Sequence, residues 1–395
     1  MLMVNEKLAS NEEEEPPRAQ AGAVLGLGKK KETKKPVEAK KKTTGATEGS
    51  RRIKKEKKKE EKKEETGDAT NKTNMTPAPP QGHPIVMEWA LRALEFGVEK
   101  LREEFRLLAR YTRPDMTKTV FDANHSPDIN VTKNRYQDVP CQDQNIVKLE
   151  PPSPCTYIHA NYVGCPMGDK RFICCQGPLD HTVEEFWWMV IQNKVEQIVM
   201  LCKTVETGKL KCAQYWPGVQ GEKKEFKSGV VVENTSGTEP MKRDPEIQVT
   251  MLNVNFSGQT MTVRHLHWTD WPDRGVPPCK LTSLELLSAI RGSKVPIVVH
   301  CSAGIGRTGT IVAIEYIMEK IVENKQCPPM PDLVKQIRDQ RAYSIQNDLQ
   351  YLYIHRVMLN YFLDKYKEKY ATLLTPDNVA KYEKFVKDYN AAVGQ

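Results

Sequence analysis

Apolar residues recur at three- and four-residue steps through Ile85, Trp89, Leu91, Leu94, Val98, Leu101, Phe105 and Leu108. That is the spacing of one buried helix face. Short apolar runs then replace this period, at 157–158, 171–173, 198–201, 249–254 and 295–299. Their length and β-branched content predict strands. Helical spacing returns over 184–193, 281–290, 308–322 and 349–365. Near the end, Thr375-Pro376 is a helix-start pair, and Val379, Tyr382, Phe385, Val386 and Tyr389 share a helical face that should pack on the domain. Strands alternating with helices imply an α/β domain with a central sheet.

The first 80 residues break this pattern. They hold Lys/Glu runs, few large apolar residues and no aromatic. Such a segment cannot bury enough surface to offset its ordering entropy, so a disordered tail is expected, closed by the TPAPP linker ending at Pro80. The tail has 20 Lys and Arg against 14 Asp and Glu, which is most of the chain's net charge of +8. The basic excess is therefore no property of the folded part. It points to tail contacts with acidic partners, a membrane surface or nucleic acid, against the plainer alternative of a solvated tail. The expected organisation is 1–80 tail and linker, 81–365 main folded domain and 366–395 helical extension.

The start of the chain has no apolar core of signal-peptide length, and no apolar run reaches the ~18 residues of a membrane span. Ten cysteines without an export signal point to free thiols in a reducing compartment. The cytoplasm is the expected location, with the nucleus as the alternative, and a monomer the expected state. Paired CxxC motifs are missing, so no metal site is expected.

The chemistry concentrates in VPIVVHCSAGIGRTGTIVAIEYI. An apolar strand ends at Val299, a loop runs from Cys301 to Arg307, and a helix opens near Thr308. This order aims backbone N–H groups and the positive end of a helix at one point. A thiol placed there readily becomes a thiolate. The same cradle suits a phosphate dianion, because the small residues Ser302, Ala303, Gly304 and Gly306 let the backbone approach its oxygens. Arg307 adds a planar fork for two of them. A nucleotide-binding loop would need GKS or GKT, which is missing.

HCSAGIGRTG at 300–309 resembles the signature of the cysteine-dependent protein tyrosine phosphatases. The resemblance implies a central mixed, highly twisted β-sheet flanked by helices. It implies attack by Cys301 on phosphorus, a cysteinyl-phosphate intermediate and its hydrolysis, with no cofactor and no metal. Arg307 binds phosphate together with the loop residues Ser302, Ala303, Gly304, Ile305 and Gly306. Thr308 helps expel the thiolate, and His300 orients the cysteine loop.

Further motifs extend the resemblance over about 85–365. In HWTDWPDRGVP, Asp273 matches the general acid of a mobile loop, with Trp271 and Gly275 flanking it. Asp270 is a weaker competitor for that role. In SIQNDLQYLY, Gln346 matches the residue that positions the attacking water, and Gln350 supports it. KNRYQD at 133–138 resembles the phosphotyrosine-recognition loop, with Tyr136 stacking on the substrate ring and Asp138 accepting N–H bonds from the substrate backbone. By the same resemblance Lys211 bonds the acid loop and Glu206 holds Arg307. Substrates are thus expected among phosphotyrosine-containing proteins. The chain also departs from the family's pattern: Asn347 stands where threonine is usual, Cys175 replaces the threonine of TQGP, and Ile146 falls where an arginine is usual.

Overall fold

The computed structural model describes residues 84–108, 110–125 and 131–395. The tail and linker expected over 1–80 lie outside them. Helix α1 (Pro84–Leu108) buries most of the predicted stripe, including Trp89, Leu94, Val98, Leu101 and Phe105, but Leu91 is exposed and Ile85 half-buried. It carries one kink the periodicity does not announce, at Gly97, whose φ of 64° belongs to the left-handed region that glycine enters without steric cost. After a short helix α2 (Thr119–Ala123), the chain builds strands β1 (Ile146–Lys148), β2 (Tyr157–Cys165) and β3 (Gly168–Cys175), then helix α3 (Val183–Gln192) and strand β4 (Gln197–Met200). A small separate ribbon, β5 (Val205–Glu206) with β6 (Lys209–Leu210), precedes β7 (Lys223–Glu225), β8 (Val231–Met241), β9 (Asp244–Phe256) and β10 (Gln259–Trp268). Helix α4 (Thr282–Ile290), strand β11 (Ile297–His300) and helices α5 (Gly306–Val322), α6 (Met330–Arg338), α7 (Asp348–Asn360) and α8 (Pro376–Val393) complete it.

Nine strands form one sheet in the order β1-β2-β3-β11-β4-β10-β9-β8-β7. The middle four are parallel: β11 pairs with β3 on one side and β4 on the other, and β4 pairs with β10. The outer pairs are antiparallel. A mixed sheet results, as expected. Val298 lies opposite both Ile173 and Ile198, and every residue of β11 is buried. That explains its solid apolar run: a parallel strand covered on both faces does not alternate. The strand starts at Ile297 rather than 295, because Pro296 cannot donate to the ladder.

Helix α5 packs behind β11 and is buried through nearly all of its first three turns. Its apolar residues, among them Ile311, Val312, Ile314 and Ile317, lie in the core, and the buried Glu315 and Glu319 are paired with Arg291 and Arg171. Each fully buried Ile or Val there contributes roughly 1.5–3 kcal/mol. The C-terminal helix forms as read. Thr375 caps it by accepting the Asn378 N–H at 3.3 Å, and Tyr382, Phe385 and Tyr389 are buried against the domain. Val379 and Val386, on the same face, are only half-buried. No helix of the described residues is long and apolar enough to cross a membrane.

The parallel strands all point their carboxyl ends the same way. Cys301 follows β11, Gln176 follows β3, the segment carrying Glu206 and Lys211 follows β4, and the segment carrying Asp273 follows β10. Ligand sites of open α/β sheets form at such ends.

Candidate active site

A cleft of about 550 Å³ opens there. Its lining includes Cys301, Ser302, Ala303, Gly306 and Arg307 from the cysteine loop, with Asp273, Gln346, Gln350, Lys211, Tyr136 and Asp138 from elsewhere in the chain. A roomier groove of about 690 Å³ lies along β9 and β10, but it holds no thiol and none of the expected residues. The chemistry, not the volume, marks the site.

The loop is wound around the sulfur. Cys301 is only 4% exposed, and its Sγ accepts the Gly304 N–H at 3.3 Å. Gly304 has φ 71°, and a Cβ there would sit 2.0 Å from the Cys175 carbonyl oxygen. Only glycine fits. Gly304 and Ile305 do not line the cleft with side chains; Ile305 instead accepts the Gly309 and Ile345 N–H groups through its carbonyl. A Cβ on Gly306 would come within 2.8 Å of the Gln350 amide and 3.1 Å of the Gln346 oxygen, so both glutamines lie over the start of α5. Gln350 seats Gln346 by accepting its N–H at 2.9 Å.

Arg307 is nearly buried. Glu206 grips its fork from one side, with contacts of 2.6 and 2.7 Å. The Leu201 and Trp271 carbonyls accept from the same guanidinium at 2.8 and 3.0 Å. Burial pushes its pKa down, but Glu206 and the neighbouring thiols more than reverse this, so the group stays charged. Asp273 touches two cations: Arg307 at 3.2 Å and Lys211 at 2.7 Å. Partial burial raises its carboxyl, yet the Lys211 bond and the two positive charges outweigh it and hold the group below the ordinary carboxylate range. Asp270, the competitor, is exposed, does not line the cleft, and lies 3.9 Å from Lys203. Trp271 is buried against Tyr353 and Trp268, and its ring N–H closes the loop on the Gly275 carbonyl at 3.1 Å.

His300 is fully buried, and burial brings its pKa down to about 3, so the ring is neutral. Its Nδ1 lies 3.2 Å from the Cys301 carbonyl, and its Nε2 lies 2.8 Å from the Tyr215 hydroxyl, which also meets His265 Nε2 at 2.8 Å. A carbonyl can only accept, so the proton of His300 sits on Nδ1. Tyr215 must then donate to His300 and accept from His265. One consistent relay of protons therefore ends on the carbonyl of the cysteine. Thr308 is buried in the first turn of α5, and its hydroxyl has no partner among the described residues. Tyr136 crosses to the cysteine loop, with its hydroxyl 2.8 Å from Ser302 Oγ.

Three contributors escaped the sequence reading. Tyr215 stands in KCAQYWP, but no local signal says that its hydroxyl reaches two histidines. Arg341 is fully buried with no carboxylate partner among the described residues. Its guanidinium donates to the Ala303 and Gly304 carbonyls at 3.1 and 3.2 Å, which fixes both peptide groups of the loop. Arg135 ties the recognition loop to the Gly177 and Pro178 carbonyls at 3.0 and 2.6 Å.

Residues 130–360 match the family model described as protein-tyrosine phosphatase. The chain belongs to the protein-tyrosine phosphatase family. Among the phosphatases it resembles, mouse receptor-type tyrosine-protein phosphatase C is 36% identical over 242 residues, covering 59% of this chain and 18% of the mouse protein. Rat phosphatidylinositol phosphatase PTPRQ is 33% identical over 277 residues, covering 67% of this chain and 11% of the rat protein. The chain thus spans under a fifth of these relatives. Among solved structures, the phosphatase PTPN18 in complex with HER2 phosphopeptides superposes with a TM-score of 0.61 at 28% identity, covering 70% of this chain and 99% of that one. The fold, a mixed sheet flanked by helices, is that of this phosphatase family.

Proposed function

We propose that this chain hydrolyses phosphotyrosine in proteins by way of a cysteinyl phosphate on Cys301. The observation that carries the reading is the convergence, in one cleft, of a thiol met by the Gly304 backbone N–H, an arginine fork held by Glu206, and a carboxyl group on a separate loop.

A phosphate dianion entering the loop takes the N–H groups and the fork of Arg307. Asp273 must then give up its contact with Arg307. A negative charge replaces a positive one beside its carboxyl, which raises the affinity of that group for a proton. The Cys301 thiolate attacks phosphorus as the bond to the phenolic oxygen breaks, and Asp273 delivers its proton to that oxygen. In the second step Gln346 orients a water. Asp273 takes the proton of that water as its oxygen bonds phosphorus, and the S–P bond breaks to return the thiolate. The unengaged Thr308 hydroxyl is free to receive that developing charge. Neutral His300 holds the cysteine carbonyl and adds no competing charge. Tyr136, on the cleft wall, supplies a ring for the substrate's ring, worth about 0.5–1.5 kcal/mol beyond area burial, and Asp138 accepts from the peptide backbone.

Depth favours tyrosine, because a phosphoserine is too short to reach Cys301 past the Tyr136 wall. The binding of phosphopeptides by PTPN18 supports a protein substrate. PTPRQ is named for a phosphoinositide, but here Ser302, Ala303 and Ile305 give the loop no cation beyond Arg307. Turnover should therefore be at least tenfold faster on a phosphotyrosine peptide than on the matching phosphoserine peptide or a phosphoinositide, measured as phosphate release under reducing conditions. Equal rates on all three would remove the tyrosine assignment.

The acid's pH dependence follows from its neighbours. Asp273 has a lowered pKa, so in the free protein its ion pairs are fully formed above the ordinary carboxylate range and fade as pH falls through the lowered value. Lys211→Met removes the first of the lowering contacts. The acid then keeps its proton to higher pH, and the descending alkaline limb of kcat/KM should move upward relative to the unmodified chain. A limb that stayed fixed or moved down would contradict the assignment.

A further inference from the structure

Asn347 sits between the water-positioning Gln346 and helix α7. Its side chain does two things at once. The amide oxygen caps α7 by accepting the Gln350 N–H at 2.9 Å. The amide nitrogen donates to the Arg274 carbonyl at 2.7 Å, in the residue that follows Asp273. Arg274 has φ 58°, a left-handed conformation that disfavours any residue with a Cβ. The acid loop is therefore turned against its local preference, and the carbonyl this turn presents is the one Asn347 holds.

The other contacts that keep the loop down are Arg307 to Trp271 and Asp273, and Lys211 to Asp273. Those on the Asp273 carboxylate depend on its charge and compete with an incoming phosphate for Arg307. The bond from Asn347 does neither, since it joins a neutral amide to a backbone carbonyl. A threonine at this position could cap the helix, but its hydroxyl has one proton and a shorter arm. The amide separates the two tasks on two atoms.

We infer that Asn347 is a positioning residue that latches the acid loop shut through the Arg274 carbonyl, coupling the seat of the attacking water to the placement of the acid. The inference rests on Asp273 being the acid. Loss of the latch lowers the fraction of substrate-bound protein with Asp273 in reach, and this slows only reactions that need a proton donated.

The test compares kcat/KM on a phosphotyrosine peptide and on an aryl phosphate whose phenol is strongly acidic and leaves unprotonated. Asn347→Asp keeps the cap acceptor and replaces the donor by a group that repels the carbonyl. Asn347→Thr keeps a cap with a shorter arm. Both variants should keep their melting temperature. Both should lose about fivefold on the peptide, the scale of one net hydrogen bond of ~1 kcal/mol, and under about twofold on the activated ester. Equal losses on the two substrates would mean a merely structural role and would overturn the latch, as would no loss on the peptide. Asp273→Ala runs alongside as the reference. If it too fails to separate the two substrates, the acid assignment is wrong and the latch falls with it. If it separates them and the Asn347 variants do not, only the latch fails.

Discussion

Cys301→Ser is expected to abolish phosphotyrosine turnover while leaving phosphopeptide binding measurable. The loop places its N–H groups around a sulfur, and the Gly304 N–H already reaches it at 3.3 Å. A serine oxygen keeps the volume but remains a hydroxyl, because no side-chain base lies beside it to remove the proton. His300 cannot serve. It is neutral, buried, and committed through both ring nitrogens to Cys301's carbonyl and Tyr215. Loss of a covalent nucleophile lowers kcat by about 10⁵–10⁶ in the best-measured hydrolases. Rapid quench of the unmodified chain with labelled phosphopeptide should trap one phosphate per chain, and the serine variant none. Isothermal titration should still detect the peptide, since the N–H cradle and Arg307 are untouched. Retained turnover would place the nucleophile elsewhere. Cys202, buried and next in the chain to Leu201, whose carbonyl accepts from Arg307, would be the first thiol to try.

Arg307→Lys should cost about 10²–10³ in kcat/KM although the charge is kept, the scale of losing one well-placed donor to a developing anion. The fork does three jobs. It meets both oxygens of Glu206, which fixes its plane. It donates to the Leu201 and Trp271 carbonyls, which ties the end of β4 to the acid loop. It then has an edge left to offer phosphate. A lysine ammonium is a single point on a flexible stem and can meet one of these needs at a time. Phosphopeptide affinity and turnover should fall together, and the leaving-group dependence should steepen because Trp271 loses its anchor. If only affinity fell, the arginine would be a binding group with no part in closing the loop.

The contrast between these residues shows which parts of the site were open to a reader of the sequence. The segment from Val295 to Val322 encodes its own geometry. A solid apolar run, small residues at the turn and a helix with Ile311, Ile314, Ile317 and Met318 on its core side occupy contiguous positions, so local sterics and the buried setting of a parallel strand are enough to predict strand, loop and helix. Helices α1, α3, α4, α7 and α8 were legible for the same reason, since a face buried over several turns repeats along the chain. Strands β8 and β10 were not, because polar residues interrupt the apolar alternation along both. Glu233 and Asn234 hold their place in β8 by pairing with Asn253 and Leu252 of β9, not through any preference of their own, and Thr235 and Ser236 fall where the register shifts. Helix α6 was missed too, although Met330, Leu333, Val334 and Ile337 lie at helical spacing and are all buried, because the segment is short and follows Pro328 and Pro329 directly.

By itself, then, the amino-acid order determined the α/β character, the strand, loop and helix around Cys301, and the kinds of side chain available there. Tertiary structure alone decided which distant groups complete it. The Tyr215 hydroxyl between two histidines, the uncompensated Arg341 charge behind the loop and the Asn347 amide on Arg274 each join segments from 38 to 85 residues or more apart in the chain, as the Arg341 contact to Ala303, the Asn347 contact to Arg274 and the Tyr215 contact to His300 illustrate. Hydrogen bonds of this kind leave no periodic trace. They depend on where the sheet order brings the carboxyl ends of β3, β4, β10 and β11, and that order is settled by the packing of the whole domain.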